Sequence, residues 1–231
     1  IVTSTHTHSG PATIKLEGVG LVDEEYVSTL PEAFSECTRK AYDNMRKAKI
    51  GFGRSKISNI SFNRAIKGGP IDEEVRVLHI KDYMSRSLAT IFNYSCHAVS
   101  IDVRTEAGFY VSADWPGFAM RTIEDVAGGM AFFFQGTCGD IDPLVAWHMR
   151  GFDAAEEVGL KVAKSVLGVL DDVTVGECSD LRVSFRRVML PLREFGVRDL
   201  VLELVRFLSR LEKEGAGAST YDLRGRAKFY R

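Results

Sequence analysis

Two neighbouring apolar segments most constrain the fold of this chain. Residues 75–80 and 88–94 are rich in β-branched and aromatic side chains, and a short polar stretch separates them, which predicts the two strands of a β-hairpin. A third apolar segment at 130–134 is dense enough for a strand that is buried on both faces. It follows a predicted helix at 118–127, so a helix connects it to the sheet. A hairpin combined with a helix-linked strand predicts a mixed sheet.

Segments with helical periodicity should form the layers that cover this sheet. In several segments apolar side chains recur every three or four residues, which is the spacing of an amphipathic helix. We predict helices around residues 31–49, 118–127, 153–170 and 197–211, and further strands at 57–62 and 181–192. The expected fold is a layered α/β domain, in which a mixed β-sheet is covered by helices and residues 1–231 form a single domain.

The composition excludes several classes of protein. The chain has 231 residues, of which 45% are hydrophobic and 26% charged, as in an ordinary globular domain with a buried core. A net charge of -1 gives no basic footprint for nucleic acid, and no apolar run is long enough to span a bilayer. Because the chain starts at Ile1 without a methionine, we expect a fragment truncated at both ends, which leaves the compartment and the oligomeric state open.

Histidines are the first candidates for chemistry. His6 and His8 follow residues that resemble the end of a strand, and side chains two residues apart in a strand leave it on the same face. They could converge on one metal ion or one substrate, or form a hydrogen-bonded pair on the surface. His97 follows the strand at 88–94 at its carboxyl end, where open sheets gather ligands. We predict that His97 is a metal ligand.

Charged side chains form a second group of candidates. Asp140 and Asp142 lie in a glycine-containing loop after the apolar segment at 130–134, where two carboxylates could bind a cation or activate water. Arg64 follows a predicted strand and could bind a carboxylate or a developing oxyanion, or pair with an acid on the surface. Asp114 could orient a metal-bound histidine, or cap the helix that follows it.

Four short motifs occur along the first two-thirds of the chain. They are Thr5-His6-Thr7-His8-Ser9-Gly10-Pro11, Asn93-Tyr94-Ser95-Cys96-His97, Ser112-Ala113-Asp114-Trp115-Pro116-Gly117 and Gln135-Gly136-Thr137-Cys138-Gly139-Asp140-Ile141-Asp142-Pro143. In this order they resemble the neutral/alkaline ceramidase family, whose members are zinc-dependent hydrolases that cleave the amide bond of ceramide. The resemblance implies a metal-dependent amidohydrolase of sphingolipid metabolism, with a lipid amide or small-molecule amide as substrate.

The resemblance also implies roles for individual residues. His6 and His97 match the two metal-binding histidines of the family, and the implied cofactor is Zn2+. His8 would contact the substrate or the tetrahedral oxyanion as a catalytic residue, and Arg64 would lie in the substrate cleft. The glutamate and tyrosine that complete the family's metal site have no match in residues 144–231. We expect them beyond the end of this chain.

Asp142 departs from the family pattern. The matching loop of the ceramidases reads Gly-Asp-x-Ser-Pro, and its serine belongs to the reactive centre, whereas this chain has Asp142 in that position. A carboxylate there could accept a proton from water, so we predict that Asp142 is a general base, with Asp140 beside it. If this chain is the whole working protein, Asp140, Asp142 or His8 would have to complete the metal site.

Three alternatives remain open at the level of sequence. The exchange at Asp142 suits a metallohydrolase of a different amide or ester substrate. The same exchange, together with the missing ligands, suits a catalytically silent binding or assembly module. A cysteine hydrolase could use Cys138 and a histidine. The four cysteines are widely scattered, however, and we predict that they are buried free thiols.

Overall fold

The computed structural model describes residues 2–15, 21–101, 110–147, 151–178, 180, 182–191 and 196–214. They fall into two compact units, the first made of Ile1–Gly10 and Glu36–Leu181, and the second of Pro11–Ser35 and Arg182–Arg231. The prediction of a single domain over residues 1–231 stays a prediction.

A four-stranded mixed sheet organises the first unit. Its strands are β1 (Lys49–Lys56), β3 (Glu74–Lys81), β4 (Ser87–Tyr94) and β5 (Met130–Gln135), in the order β1-β3-β4-β5. The pairs β1–β3 and β3–β4 are antiparallel, and β4–β5 is parallel. A separate antiparallel pair joins β2 (Ser61–Asn63) to β6 (Ile141–Pro143). The α/β fold class, the hairpin and the helix-linked strand are therefore confirmed.

Helices α2 (Asp114–Ala127) and α3 (Phe152–Asp172) pack against each other and against this sheet. A short 3-10 helix at Leu144–Trp147 precedes α3. Gly159 permits the close contact between the helices, since a Cβ there would lie 2.5 Å from Phe118 Cβ. Buried apolar side chains from both layers form one core, among them Val75, Val77, Phe92, Tyr94, Trp115, Ile123, Phe133, Val158, Val162 and Val166.

Three predictions about the sheet are corrected by the structure. The sequence pattern missed β1, and the strand expected at 57–62 is the shorter β2. The third correction concerns β5, which is not buried on both faces: Met130 is 60% and Phe132 is 41% exposed, whereas Ala131 and Phe133 are buried. This alternation arises because α2 and α3 cover the side of the sheet that bears Ala131 and Phe133.

Helix α1 (Glu24–Asp43) also differs from prediction. It is one continuous helix that begins before the predicted start at residue 31, contains Pro31 and ends before residue 49, and none of its residues is buried. The predicted role of a helix covering the sheet is therefore wrong for α1. It begins in the second unit and ends in the first.

The second unit contains helix α4 (Val197–Glu214), which extends the helix predicted at 197–211. The strands predicted at 181–192 are not observed, since the described residues in that range, 182–191, lie in neither helix nor strand. Among the described residues no helix is long and apolar enough to cross a membrane.

We expect His79 to make the stability of the fold depend on pH. It is buried on the face of β3 that carries Val75 and Val77. Its Nδ1 is 3.0 Å from Thr90 Oγ1, and burial followed by the charge of Lys81 lowers the pKa of its imidazole from 6.5. The unfolded chain therefore binds more protons just below that pH, so the free energy of unfolding should fall as the solution is acidified through it. Urea denaturation between about pH 8 and pH 5 should show a shallower decline for His79→Gln. An unchanged slope would contradict a neutral, buried His79.

Candidate metal centre

The N-terminal segment joins the sheet region at the carboxyl end of β4. Thr7 forms a parallel bridge with Ala98, and the backbone N–H of His8 donates to Ala98 O at 3.3 Å. Thr7 Oγ1 also donates to Ser112 O at 2.7 Å, which ties the segment to the residues just before α2. The first histidine motif is thereby held next to the motif that ends in His97.

His6 and His8 converge for a different reason than the sequence suggested. Residues 2–6 do not form a strand, and His6 has a φ of 63°, a left-handed conformation that histidine adopts more readily than most residues. The ring centroids are nevertheless 5.1 Å apart for His6 and His8, 4.7 Å for His6 and His97, and 5.5 Å for His8 and His97. The structure therefore brings all three predicted histidines together.

His97 is held by its backbone and by one ring nitrogen. Its N–H donates to Ile141 O at 2.9 Å, its Nδ1 lies 3.2 Å from the same oxygen, and the indole Nε1 of Trp115 donates to His97 O at 2.9 Å. Because a carbonyl oxygen can only accept, Nδ1 carries the proton and Nε2 keeps its lone pair. This arrangement is typical of a histidine that binds a metal ion through Nε2.

The three imidazoles could hold a metal ion together. One candidate ligand atom from each of His6, His8 and His97 lies within 4.8 Å of the others, and this is the one such group among the described residues. Burial, reinforced by His6, His97 and Arg64, lowers the pKa of His8 to about 4, and burial with the charge of Arg64 lowers the pKa of His97. Both rings are therefore neutral at neutral pH, as metal ligation requires.

Arg64 and Asp142 lie beside His97. Arg64 Nη1 is 3.3 Å and His97 Nδ1 is 3.5 Å from Asp142 Oδ1, and Arg64 Nη2 donates to Gly139 O at 2.8 Å. Asp142 Oδ1 is buried without a hydrogen-bond partner among the described residues. The carboxylate thus contacts the Nδ1 side of His97, which suits a role in orienting that ring.

Asp140 is held by a residue that the sequence analysis did not single out. Asn63 Nδ2 donates to Asp140 Oδ2 at 2.7 Å, and Asn63 Oδ1 accepts from the backbone N–H groups of Ala65 and Ile66. The backbone N–H of Arg64 donates to Asp140 O at 2.8 Å. The loop that carries both acids is therefore fastened to the turn that carries Arg64.

Asp114 is not the cap of α2, and it supports the histidine cluster only indirectly. Ala113 occupies the N-cap position of α2 without a side-chain bond, and the Asp114 carboxylate accepts from the backbone N–H groups of Ile101 and Trp115. It reaches His97 through Trp115, whose indole bonds to His97 O. Trp115 belongs to the third motif, but its supporting role behind His97 was not predicted from the sequence.

The four cysteines are free thiols, two of them buried and two exposed. Cys96 and Cys138 are buried, whereas Cys37 and Cys178 are exposed, so the prediction of buried thiols is wrong for the second pair. Burial raises the pKa of the Cys138 thiol. A thiolate nucleophile needs a lowered pKa, so this environment does not favour the cysteine hydrolase.

Comparison with known proteins identifies the fold. No family model and no curated protein sequence matches the chain. Solved structures that are similar to this chain include the neutral ceramidase of Pseudomonas aeruginosa, at 23% identity and a TM-score of 0.63, and a ceramidase complexed with C2, at 22% identity and a TM-score of 0.65. Each match covers 76% of this chain but only 32% and 31% of the respective ceramidase chains. The chain thus has a ceramidase-like fold and spans about a third of the length of these structures.

Proposed function

We propose that this chain carries part of the active site of a zinc-dependent amidohydrolase that acts on ceramide or a related N-acyl lipid. The observation that carries the proposal is the convergence of His6, His8 and His97 beyond the carboxyl end of β4 in a ceramidase-like fold. The similar structures are ceramidases, and the four motifs of this chain resemble that family. Amide hydrolysis by the whole protein is therefore the leading function.

The donor set fits a metal ion. His6 and His97 would hold it, and His8 is the third donor that this chain offers, because its ligand atom belongs to the same cluster. Asp140 accepts a hydrogen bond from Asn63, and Asp142 pairs with Arg64, so the two carboxylates are less suitable than His8 as the third metal ligand. Neutral imidazoles suit zinc, copper, nickel and iron. Because hydrolysis needs no change of oxidation state, we favour zinc.

The surrounding residues account for binding and proton movement. A bound zinc ion would polarise a carbonyl and lower the pKa of water. The exposed guanidinium of Arg64 supplies positive potential for a developing oxyanion. Asp142 Oδ1 lies 3.5 Å from the protonated Nδ1 of His97, whose hydrogen bond goes to Ile141 O, so the carboxylate adds negative charge beside the ring. The general-base role predicted from the sequence stays a prediction. If turnover and its pH dependence are unchanged in Asp142→Asn, the general-base role is wrong.

Hydrolysis of an N-acyl sphingoid base tests the proposed function. The chain should be stripped of metal with a chelator, divided, and reloaded with one equivalent of zinc or left metal-free. Release of the free amine should require zinc, and it should be lost in His6→Ala and His97→Ala but kept in His79→Gln, which removes an imidazole in the middle of the sheet. An ester of the same acyl chain separates amide from ester specificity.

A second candidate function is a binding or assembly module that keeps the fold without turnover. It is favoured by the acid at position 142, where the ceramidases have serine, and it predicts zinc binding without amine release. Bound zinc with no hydrolysis of either the amide or the ester would support this module and contradict turnover by this chain alone.

A further inference from the structure

Gln135 links the two backbone segments that carry His6 and His97. It is the last residue of β5 and pairs in register with Tyr94, the last residue of β4. Its Nε2 donates to Thr5 O at 3.2 Å and to Cys96 O at 2.9 Å. Its Oε1 accepts from the backbone N–H of Gly136 at 3.0 Å.

Each of the two carbonyls belongs to the residue immediately before a histidine of the cluster. On the other side of these histidines, Thr7 and Ala98 form a parallel bridge. The pairs Thr5–Cys96 and Thr7–Ala98 therefore bracket His6 and His97. One pair is joined by backbone contacts and the other by the side chain of Gln135.

The conformation of His6 explains why a side chain is needed. A φ of 63° turns the backbone out of the extended conformation, so the ladder that starts at Thr7 cannot continue by regular strand pairing to Thr5. Without the Gln135 amide, the carbonyl oxygens of Thr5 and Cys96 would lose the hydrogen-bond donor that they share. The Gln135 amide supplies a connection that the backbone cannot make.

We propose that Gln135 is a positioning residue, which fixes the separation of His6 and His97 by hydrogen-bonding the backbone on the N-terminal side of both. The role rests on the proposed metal site, although Gln135 has no part in ligation itself. Its chemistry matches the task, because a primary amide has two N–H donors for two carbonyls and one oxygen for the N–H of Gly136. A carboxylate or a thioether of similar length cannot provide both donors.

Two variants with a matched control test this role. Gln135→Met removes all three hydrogen bonds, and the nearly isosteric Gln135→Glu keeps the size but removes the donors. The control is Asn93→Leu, since Asn93 Nδ2 donates to Phe134 O at 2.8 Å and so joins β4 to β5 without touching a residue next to a cluster histidine. Urea denaturation of the metal-free proteins identifies any variant that loses the fold.

Zinc affinity, measured by competition with a chelator, is the first readout. Loss of a partner behind a metal ligand typically weakens binding by about 10–100-fold, and we expect this range for both Gln135 variants. Asn93→Leu should bind zinc as the unsubstituted chain does. Equal zinc affinity in the unsubstituted chain, Gln135→Met and Gln135→Glu would overturn the positioning role and leave the metal site intact.

A metal-free readout separates this inference from the proposed function. Nuclear Overhauser contacts between the His6 and His97 rings should be present in the unsubstituted chain and in Asn93→Leu, and they should be lost or weakened in the Gln135 variants that stay folded. That pattern without any zinc binding would support the positioning role and contradict the metal site. Ring contacts that survive in both Gln135 variants would contradict the positioning role.

Discussion

Replacing His97 by alanine should weaken zinc binding by at least about 100-fold, since even the loss of a partner behind a metal ligand costs about 10–100-fold. His97 is the most buried of the three histidines, and its protonated Nδ1 bonds to Ile141 O. Its Nε2 therefore keeps a lone pair and is the nitrogen available to a metal ion. Removing the ring deletes one donor and opens a space beside Asp142, which pairs with Arg64.

The expected loss can be measured by chelator competition, with His79→Gln as the control that removes an imidazole elsewhere. His97→Ala should also destabilise the metal-free chain modestly, by about 1–3 kcal/mol, because a buried hydrogen bond is lost. Zinc affinity equal to that of the unsubstituted chain would exclude His97 from the site. A similar loss in His79→Gln would point to a general effect on the fold.

Replacing Trp115 by alanine should produce the largest loss of stability, about 3–5 kcal/mol. Its indole is fully buried and packs edge-on against Phe133 and Tyr94, with ring centroids 4.8 and 6.1 Å away. The substitution leaves a cavity between α2 and the ends of β4 and β5. It also removes the hydrogen bond to His97 O, so the cluster and the core should be affected together.

Trp115→Phe separates these two effects. It keeps most of the packing but leaves His97 O without the indole donor, so we expect a loss of about 1–3 kcal/mol and weaker zinc binding. Phe52→Ala is the matched control, because Phe52 is 74% exposed and surface substitutions usually change stability by less than about 0.5 kcal/mol. Denaturant midpoints should be lowest for Trp115→Ala, intermediate for Trp115→Phe and highest for Phe52→Ala. A Trp115→Ala variant that is no less stable than Phe52→Ala would contradict this order.

The sequence predicted the parts of the fold whose signals are local. The hairpin β3–β4 and helix α3 follow clear apolar periodicity, and the predicted histidines do converge. Strand β1 was missed because Gly51 and Gly53 interrupt its apolar pattern. In the structure Gly53 has a packing role, since a Cβ there would lie 2.3 Å from Val169 Cγ1, and the glycine lets α3 approach the strand.

The support of the candidate site could not be predicted from local patterns. Gln135 bonds to a residue 130 positions away, and Trp115 to one 18 positions away, and neither bond leaves a periodic signal. Asn63 reaches Asp140 across 77 positions. Contacts of this kind depend on how the β4 and β5 ends meet, which only the folded chain defines.

Imidazole NMR of the chain during zinc titration tests the central claim most directly. In two-bond nitrogen–hydrogen spectra at neutral pH, one equivalent of zinc should shift the ring signals of His6, His8 and His97 together, while those of His79 stay in place. Saturation at one ion per chain is the result we predict. If zinc leaves all three rings unshifted, or shifts them no more than His79, the three histidines do not form a metal centre.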